Sequence, residues 1–183
     1  MDGEREDARV RRTRTKVIAV ARDLLVEVGP LNLTYTLLSE RAAVTRQTLY
    51  RHWPTIESLL VDLVLVGPEV GYPEPGDDPH VVVVGFLTSL RAGMDDPTTA
   101  AALIALAAQA DVDVASAAAL RAISADRRAA LNTLLSGTMR QVTENEFAQL
   151  VGPVFVQRFI ARSAVTDQLI ADTVTAWLGR PPG

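Results

Sequence analysis

The stretch Leu33–Leu60, with the sequence LTYTLLSERAAVTRQTLYRHWPTIESLL, decides the fold that we predict for this chain. Thr34 is a suitable N-cap for a short helix over residues 35–42, because its hydroxyl can accept a hydrogen bond from a free amide of the first turn. After a two-residue break, Thr45 caps a second short helix that continues to about His52. Two short helices joined by such a turn form a helix-turn-helix, whose second helix can lie in the major groove of DNA.

The second short helix carries polar side chains around one aliphatic residue, Leu49. A buried helix would not have this composition, so we expect most of its surface to be exposed. Arginine pairs with guanine, glutamine pairs with adenine, and threonine contacts base edges, while tyrosine and histidine donate to phosphates. The residues of the motif that we predict to contact DNA are Thr34, Tyr35, Thr45, Arg46, Gln47, Thr48, Tyr50, Arg51 and His52.

A longer helix before the motif would support it. Apolar residues recur at helical spacing up to Val28, and Gly29-Pro30 then ends the periodic segment, which predicts a helix over residues 13–28. Residues 1–12 are highly charged and have no periodicity, so we predict a mobile arm. Three arginines ahead of the helix would follow the DNA backbone or enter the minor groove, and a solvated arm is the alternative; they are Arg11, Arg12 and Arg14.

The motif is followed by another helix and then by a linker. Residues 56–66 have one apolar face and predict a fourth helix, and just before it we expect Trp53 to be buried and Tyr50 to be half exposed. Residues 67–78 are rich in proline and glycine, which is typical of a boundary between domains. We therefore predict a DNA-binding domain at 13–66 and a second domain at 79–183.

The second domain is predicted to be helical. Asp-Pro pairs at 78–79 and 96–97 are specific helix starts, because aspartate caps the helix and proline fits its first position. The run Val81–Val84 has strand propensity, but no partner strand lies nearby, so we interpret it as helix. The predicted helices are 79–93, 97–110, 113–140, 145–162 and 167–178, and the predicted fold class is all-α.

Charge is unevenly distributed along the chain. The net charge is −4, yet the segment from Arg9 to Trp53 has nine basic and three acidic residues, whereas the chain from Gly67 onward has eight basic and thirteen acidic residues. This asymmetry indicates a basic module attached to an acidic body. Phosphate binding depends on local charge, so the acidic total does not argue against DNA.

Composition also argues against several other functions. The chain has no cysteine, which excludes disulfides, thiolate metal sites and cysteine nucleophiles. It has two histidines and shows no phosphate-binding glycine loop or paired catalytic carboxylates, so we expect no metal, no cofactor and no enzyme activity. The start is polar and no apolar stretch reaches the roughly 18 residues of a membrane span. We expect a cytoplasmic protein that does not bind a membrane.

The helix-turn-helix stretch resembles the signature of the tetracycline-repressor (TetR) family. Ala42-Ala-Val-Thr and Thr48-Leu-Tyr-Arg-His-Trp-Pro look like the turn, the recognition helix and the aromatic-proline corner of that family. The resemblance covers roughly residues 13–66 and implies a three-helix DNA-binding domain, a helical effector domain and a dimer built from the last two long helices.

Two positions depart from the family pattern. Ala43 stands where glycine is usual in the turn, and a left-handed alanine would cost on the order of 1 kcal/mol. Ile56 stands where members often have a lysine that touches phosphate. The loss of that lysine should weaken DNA affinity without shifting the sequence preference.

The last two predicted helices are apolar on more than one side, and a helix apolar on two sides must be covered on both. In line with the resemblance, we predict that they form half of a four-helix interface in a homodimer. The interface residues would be Val151, Phe155, Phe159, Ile170, Val174 and Trp177. Gly152-Pro153 is expected to bend the first of these helices, and a split into two helices is the alternative.

A pocket for an effector would lie among the helices at 79–140. The lining contains few polar residue types, which favours an apolar or amphipathic small molecule, although each residue is also a candidate for ordinary core. The candidate lining residues are Phe86, Leu90, Met94, Leu103, Ile104, Leu131, Leu135, Met139 and Phe155.

These observations predict a DNA-binding transcription regulator. The favoured output is repression at a palindromic operator in double-stranded DNA, relieved by a small-molecule effector, and activation stays open. The alternative is a helical protein that binds a small molecule or a partner and has a non-functional helix-turn-helix.

Overall fold

The computed structural model describes residues 2–65 and 71–179 of the chain, with side chains from residue 10 onward. Every regular element in these ranges is helical, which confirms the all-α fold class. The elements are α1 (Asp2–Val28), a 3₁₀ turn (Pro30–Asn32), α2 (Tyr35–Ala42), α3 (Arg46–His52), α4 (Ile56–Leu65), α5 (Pro79–Asp95), α6 (Pro97–Gln109), α7 (Val114–Leu134), a 3₁₀ turn (Leu135–Gly137), α8 (Glu144–Phe155), a π-helical turn (Val156–Ile160) and α9 (Asp167–Leu178).

The structure extends the predicted first helix through the segment predicted as an arm, since α1 already begins at Asp2. The segment contains good helix formers and no proline, and its first residues are acidic, which is favourable at the positive end of the helix dipole. Periodicity missed this extension because the segment has no apolar stripe. The predicted end at Val28 is confirmed, and Gly29 after it has a positive φ of 78°.

Local capping signals predicted the other helix starts well. Thr34, Thr45 and Asp96 each accept a hydrogen bond from an amide of the following first turn, as predicted. Two caps were not singled out from the sequence: Thr166 accepts from Leu169 N, and Thr143 forms a capping box with Glu146. The valine run 81–84 lies within α5, which confirms its interpretation as helix.

Two helices end earlier than predicted. α7 stops at Leu134, not at 140, because the Asn132 side chain bonds both the amide (2.7 Å) and the carbonyl (3.1 Å) of Val142 and holds the chain in a turn. α8 continues through Pro153 to Phe155 and then widens into the π-helical turn, so the alternative of a split at Gly152-Pro153 is wrong. Proline removes one backbone donor here, and wider turns are one way in which helices accommodate local strain.

The chain forms two compact units, the first made of residues 1–67 with 96–123 and the second of 68–95 with 124–183. In the first unit, α6 packs against α1 and α4, and an ion pair joins Arg22 Nη2 to Asp96 Oδ2 at 2.9 Å. The predicted DNA-binding segment at 13–66 therefore shares one core with α6. The division into functional domains stays a prediction.

The second unit is built mainly from α5, α8 and α9. Its core includes the fully enclosed side chains of Phe86, Leu131 and Trp177. The first part of the predicted linker, residues 67–70, lies outside the described residues, as does residue 66, the predicted end of the fourth helix. The remainder packs within this unit, since Tyr72 stacks on Phe86 with ring centroids 5.3 Å apart and Pro73 lies against Gly85.

Candidate nucleic-acid interface

The turn between α2 and α3 has the geometry that the sequence predicts. Ala43 lies in the left-handed region with φ 49° and ψ 50°, and its amide bonds to carbonyls of the last turn of α2. The amide of Val44 also donates to the carbonyl of Ser39 at 3.1 Å, a pattern typical of helices that end on a left-handed residue. The turn thus satisfies the backbone at the end of α2 and directs the chain into α3.

We expect Ala43→Gly to stabilise the first unit by about 0.5–1 kcal/mol, because relief of left-handed strain exceeds the added entropy of the unfolded chain. Urea unfolding measures the change. Ala42→Gly is the matched control, since Ala42 is buried and helical and should lose stability by about 0.5–1 kcal/mol. A destabilising Ala43→Gly would contradict the strain argument.

α3 exposes the side chains expected to read DNA. Leu49 is its one fully buried residue, and Arg46, Gln47 and Arg51 are exposed. Tyr50 is 52% exposed, as the sequence predicts. The polar surface of α3 is therefore accessible to a partner such as DNA.

The predicted threonines and Tyr35 have structural partners in this fold. The hydroxyls of Thr45 and Thr48 are 2.9 Å apart, and Thr34 caps α2 by accepting from Leu37 N at 3.3 Å. Tyr35 Oη donates to the carbonyl oxygen of Trp53 at 2.5 Å. Contacts to DNA by these residues stay predictions.

An aromatic corner closes the C-terminal end of α3. Trp53 is 2% exposed, which confirms its predicted burial, and the rings of Tyr35 and Tyr50 meet edge to face at 4.7 Å. Burial raises the pKa of Tyr35 well above its usual range, and the nearby Tyr50 and Glu57 add to the shift. The Tyr35 hydroxyl therefore stays protonated and can donate to Trp53.

Asp62 on α4 is a residue that sequence reasoning missed. Its Oδ2 atom accepts hydrogen bonds from the indole Nε1 of Trp53 (2.6 Å) and from Nε and Nη2 of Arg14 (3.2 and 2.8 Å). A buried indole N–H needs an acceptor. The acidic residue among the apolar positions of α4 was the signal in the sequence that could have identified this acceptor. The periodicity of α4 shows its apolar face but not this partner.

The three predicted arginines lie on α1 and not on a separate arm. Arg11 and Arg12 are exposed, and Arg14 is ion-paired with Asp62. For Arg14, a phosphate contact would compete with this pair.

His52 is only partly exposed, and its Nε2 atom is enclosed with no hydrogen-bond partner among the described residues. A phosphate contact from Nε2 would therefore require the side chain to move. Burial lowers the pKa of His52, and the positive charges of Arg51 and Arg14 lower it further. The folded state thus favours the neutral imidazole.

We expect this shift to make the free energy of unfolding fall as the pH is lowered from about 7.5 to about 5.5, because the unfolded chain binds a proton at the ordinary histidine pKa while the folded chain resists it. Thermal unfolding across this range should show a weaker pH dependence for His52→Gln than for the wild type. His80→Gln, at an exposed position on α5, is the control. Equal slopes for wild type and His52→Gln would contradict the expectation.

The predicted effector residues are divided between the two units. Leu103 and Ile104 belong to the first unit and the remaining seven to the second. Phe86, Leu131 and Leu135 are fully buried, whereas Met139 is fully exposed and Ile104 is 36% exposed. Met139 therefore does not line an enclosed space in the single chain. A surface groove of about 470 Å³ in the first unit has a different lining, composed of Ala19, Arg22, Asp23, Val26, Glu27 and Thr98.

The predicted dimer residues also differ in exposure. Ile170, Val174 and Trp177 are at most 2% exposed and Phe159 is 4% exposed, so the chain itself already covers them. A side chain enclosed within its own unit leaves little surface for a partner to bury, and a contact of these four residues with a second subunit stays a prediction. Val151 and Phe155 are partly exposed. On the same stretch Val156 and Ile160 are 52% and 71% exposed.

No group of three or more histidine, aspartate or glutamate residues within the described ranges of the chain is arranged to hold a metal ion. Across the same ranges, none of the helices is sufficiently long and apolar to cross a membrane.

Comparisons with known proteins agree with this geometry. Residues 17–63 match the family model described as bacterial regulatory proteins, tetR family. The TetR family transcription regulator SCO0332 is 25% identical over 93% of this chain and 99% of its own, with a TM-score of 0.68. A TetR transcriptional regulator from Rhodococcus sp. RHA1 is 19% identical over 93% and 97%, with a TM-score of 0.67. No curated protein sequence matches the chain.

The exposed polar helix, its capped turn and the aromatic corner together form a helix-turn-helix, a motif that many DNA-binding proteins use. The family match over the motif and the structural similarity over almost the whole chain show that the chain has the fold of TetR-family transcription regulators.

Proposed function

We propose that a homodimer of this chain represses transcription by binding a near-palindromic operator and releases it when a small apolar or amphipathic molecule binds the second unit. Each subunit would present one α3 to the major groove, with half-sites about one helical turn apart. The observation that carries the proposal is the exposed polar surface of α3 around the single buried residue Leu49. The proposal includes no catalytic activity. It places the protein in the cytoplasm.

The local charge supports DNA as the partner. Arg46 and Arg51 are exposed on α3, and Arg11 and Arg12 are exposed on α1. When positive side chains neutralise DNA phosphates, counterions are released from the DNA. The affinity of the protein for DNA should therefore fall steeply as salt is added.

The test is the binding of fragments of the source genome at several salt concentrations. We expect selective binding with a steep salt slope, and Arg51→Ala should reduce that slope. Arg121→Ala is the matched control, because Arg121 is exposed in the same unit but lies on α7. Absence of salt-dependent binding to any fragment would favour the alternative, a helical binding protein with a non-functional helix-turn-helix.

Arg46→Ala and Gln47→Ala should each relax the base preference at one operator position by roughly 1–3 kcal/mol, because each loses a bidentate contact with one base. Affinity measured against a set of single-base operator variants reports this effect. A uniform loss of affinity on every operator variant would mean that these residues contact phosphates and not bases.

Apolar surface of the second unit supports self-association. Val156 and Ile160 are exposed on the π-helical turn, next to the partly exposed Val151 and Phe155. A contiguous exposed apolar patch is typical of an interaction site. We therefore place the dimer interface at this end of α8, in place of the buried face of α9.

Two observations support a small-molecule effector that binds the second unit. One protein of similar fold, the multidrug binding protein EbrR, has a structure complexed with imidazole, and it is 15% identical over 92% of this chain and 96% of its own with a TM-score of 0.57. The second unit of this chain has an aromatic interior around Phe86 and Phe147, whose ring centroids are 6.3 Å apart. In a thermal-shift screen, a compound present at about 100 times its Kd should stabilise the protein by roughly 2.7 kcal/mol. The effector must also lower operator affinity, since linkage requires it to prefer the DNA-free state.

A further inference from the structure

We propose that Asp62 is the positioning residue through which α4 sets the orientation of the recognition helix α3. The inference rests on the proposed function, because the orientation of α3 matters to DNA only if α3 binds DNA. Asp62 was not among the residues predicted to contact DNA, and its side chain is 22% exposed. Asp62 therefore acts through the residues that it binds, Trp53 and Arg14.

The recognition helix has few contacts of its own to keep it in place. α3 comprises seven residues, of which Leu49 is the fully buried one. A helix of two turns is not stable alone and depends on tertiary contacts. Beside Leu49 and the ring contact between Tyr50 and Tyr35, its orientation depends on its two ends, the turn at Ala43 and Trp53.

Trp53 is held from two directions. Tyr35 Oη on α2 donates to its carbonyl oxygen at 2.5 Å, and its own Nε1 donates to Asp62 Oδ2 on α4 at 2.6 Å. The first contact fixes the main chain at the end of α3, and the second fixes the indole ring. A hydrogen bond to a carboxylate is shorter and stronger than one to a neutral acceptor, so the ring is tied closely to α4.

Arg14 completes the arrangement from α1. Its Nε and Nη2 atoms donate to the same Oδ2 atom of Asp62 at 3.2 and 2.8 Å. One carboxylate oxygen therefore joins α1, α4 and the residue that ends α3. A displacement of α4 that moved this oxygen would carry the Trp53 ring with it and tilt α3.

The first test compares Asp62→Asn and Trp53→Phe with Glu27→Gln. Glu27 pairs with Arg41 at 2.9 and 3.1 Å in the same unit, so its variant removes a similar ion pair away from Trp53. On a genomic fragment bound by the wild type, Trp53→Phe removes the indole donor, and Asp62→Asn replaces the carboxylate by a neutral acceptor. We expect each variant to weaken binding about tenfold, as for one charge-assisted hydrogen bond that is lost or reduced to a neutral one. Glu27→Gln should change binding less than about twofold.

The double variant and the salt slope separate positioning from other roles. Asp62→Asn combined with Trp53→Phe should weaken binding no more than Trp53→Phe alone, because both substitutions act on the same contact between residues 53 and 62. The salt slope should be unchanged, because no phosphate contact is lost. Tighter binding by Asp62→Asn with a steeper slope would show that Asp62 only withholds Arg14 from phosphate, and would overturn the proposal.

The second test needs no DNA. Amide hydrogen exchange of a peptide covering residues 46–53 should be about tenfold faster in Asp62→Asn and Trp53→Phe than in wild type and Glu27→Gln, with the core of α1 unchanged. If the wild type binds no fragment, the proposed function fails, and this measurement alone decides the role of Asp62. Unchanged protection of α3 in both variants would overturn it.

Discussion

Trp177→Ala is expected to destabilise the second unit by about 3–5 kcal/mol, the usual cost of removing a large aromatic side chain from a core. Trp177 is 2% exposed, its Nε1 donates to Glu146 Oε1 at 3.2 Å, and the guanidinium of Arg140 lies 5.0 Å from the ring centroid. The substitution opens a cavity and also removes a hydrogen bond from the carboxylate that closes the capping box of α8. Since whole proteins are stable by about 5–15 kcal/mol, this is a large fraction of the total.

Urea unfolding followed by far-ultraviolet circular dichroism measures the effect, because fluorescence would lose one of the two tryptophans. Thr175→Ala is the control on the same helix at an exposed position. If Trp177 formed the dimer interface, as the sequence predicts, Trp177→Ala would leave the unfolding of the single chain nearly unchanged and weaken self-association. That result would contradict its assignment to the core.

Ile160→Asp should abolish self-association and leave the fold of each chain intact. Ile160 is 71% exposed in the single chain, so a charge there stays solvated in the monomer. In a dimer the same charge would be buried without a partner, at a cost of about 3–5 kcal/mol, which weakens association by more than two orders of magnitude. Because a monomer engages one half-site, operator binding should fall with it.

Sedimentation at several concentrations, together with circular dichroism, measures the two effects separately. Val112→Asp is the matched control, because Val112 is 83% exposed and belongs to the first unit. A dimer that persists in Ile160→Asp would place the interface elsewhere on the chain.

The helix-turn-helix could be predicted from the sequence because short-range chemistry determines it. Threonine hydroxyls cap α2 and α3, and each reaches an amide only three residues away. The left-handed Ala43 follows from the need to end one helix and start another within two residues. The family resemblance and the exposed face of α3 follow from the same few residues, and they point to the site before any packing is known.

The faces of the long helices could not be predicted in the same way. The apolar residues of α9 were predicted to meet a second chain, yet Ile170, Val174 and Trp177 pack inside their own unit. The spacing of apolar residues shows that a helix has an apolar face, but it does not show which neighbouring helix covers that face. For the same reason, seven of the predicted effector residues lie in one unit and two in the other.

The amino-acid sequence by itself determined the class of fold, most helix boundaries, the capped turn and the polar surface of the recognition helix, because these depend on groups within four residues of one another. Only the tertiary structure decided that Asp62 binds Trp53 and Arg14, nine and 48 residues away along the chain, and that α9 is core. Such contacts depend on how helices pack, and packing is a property of the whole unit that no local pattern encodes.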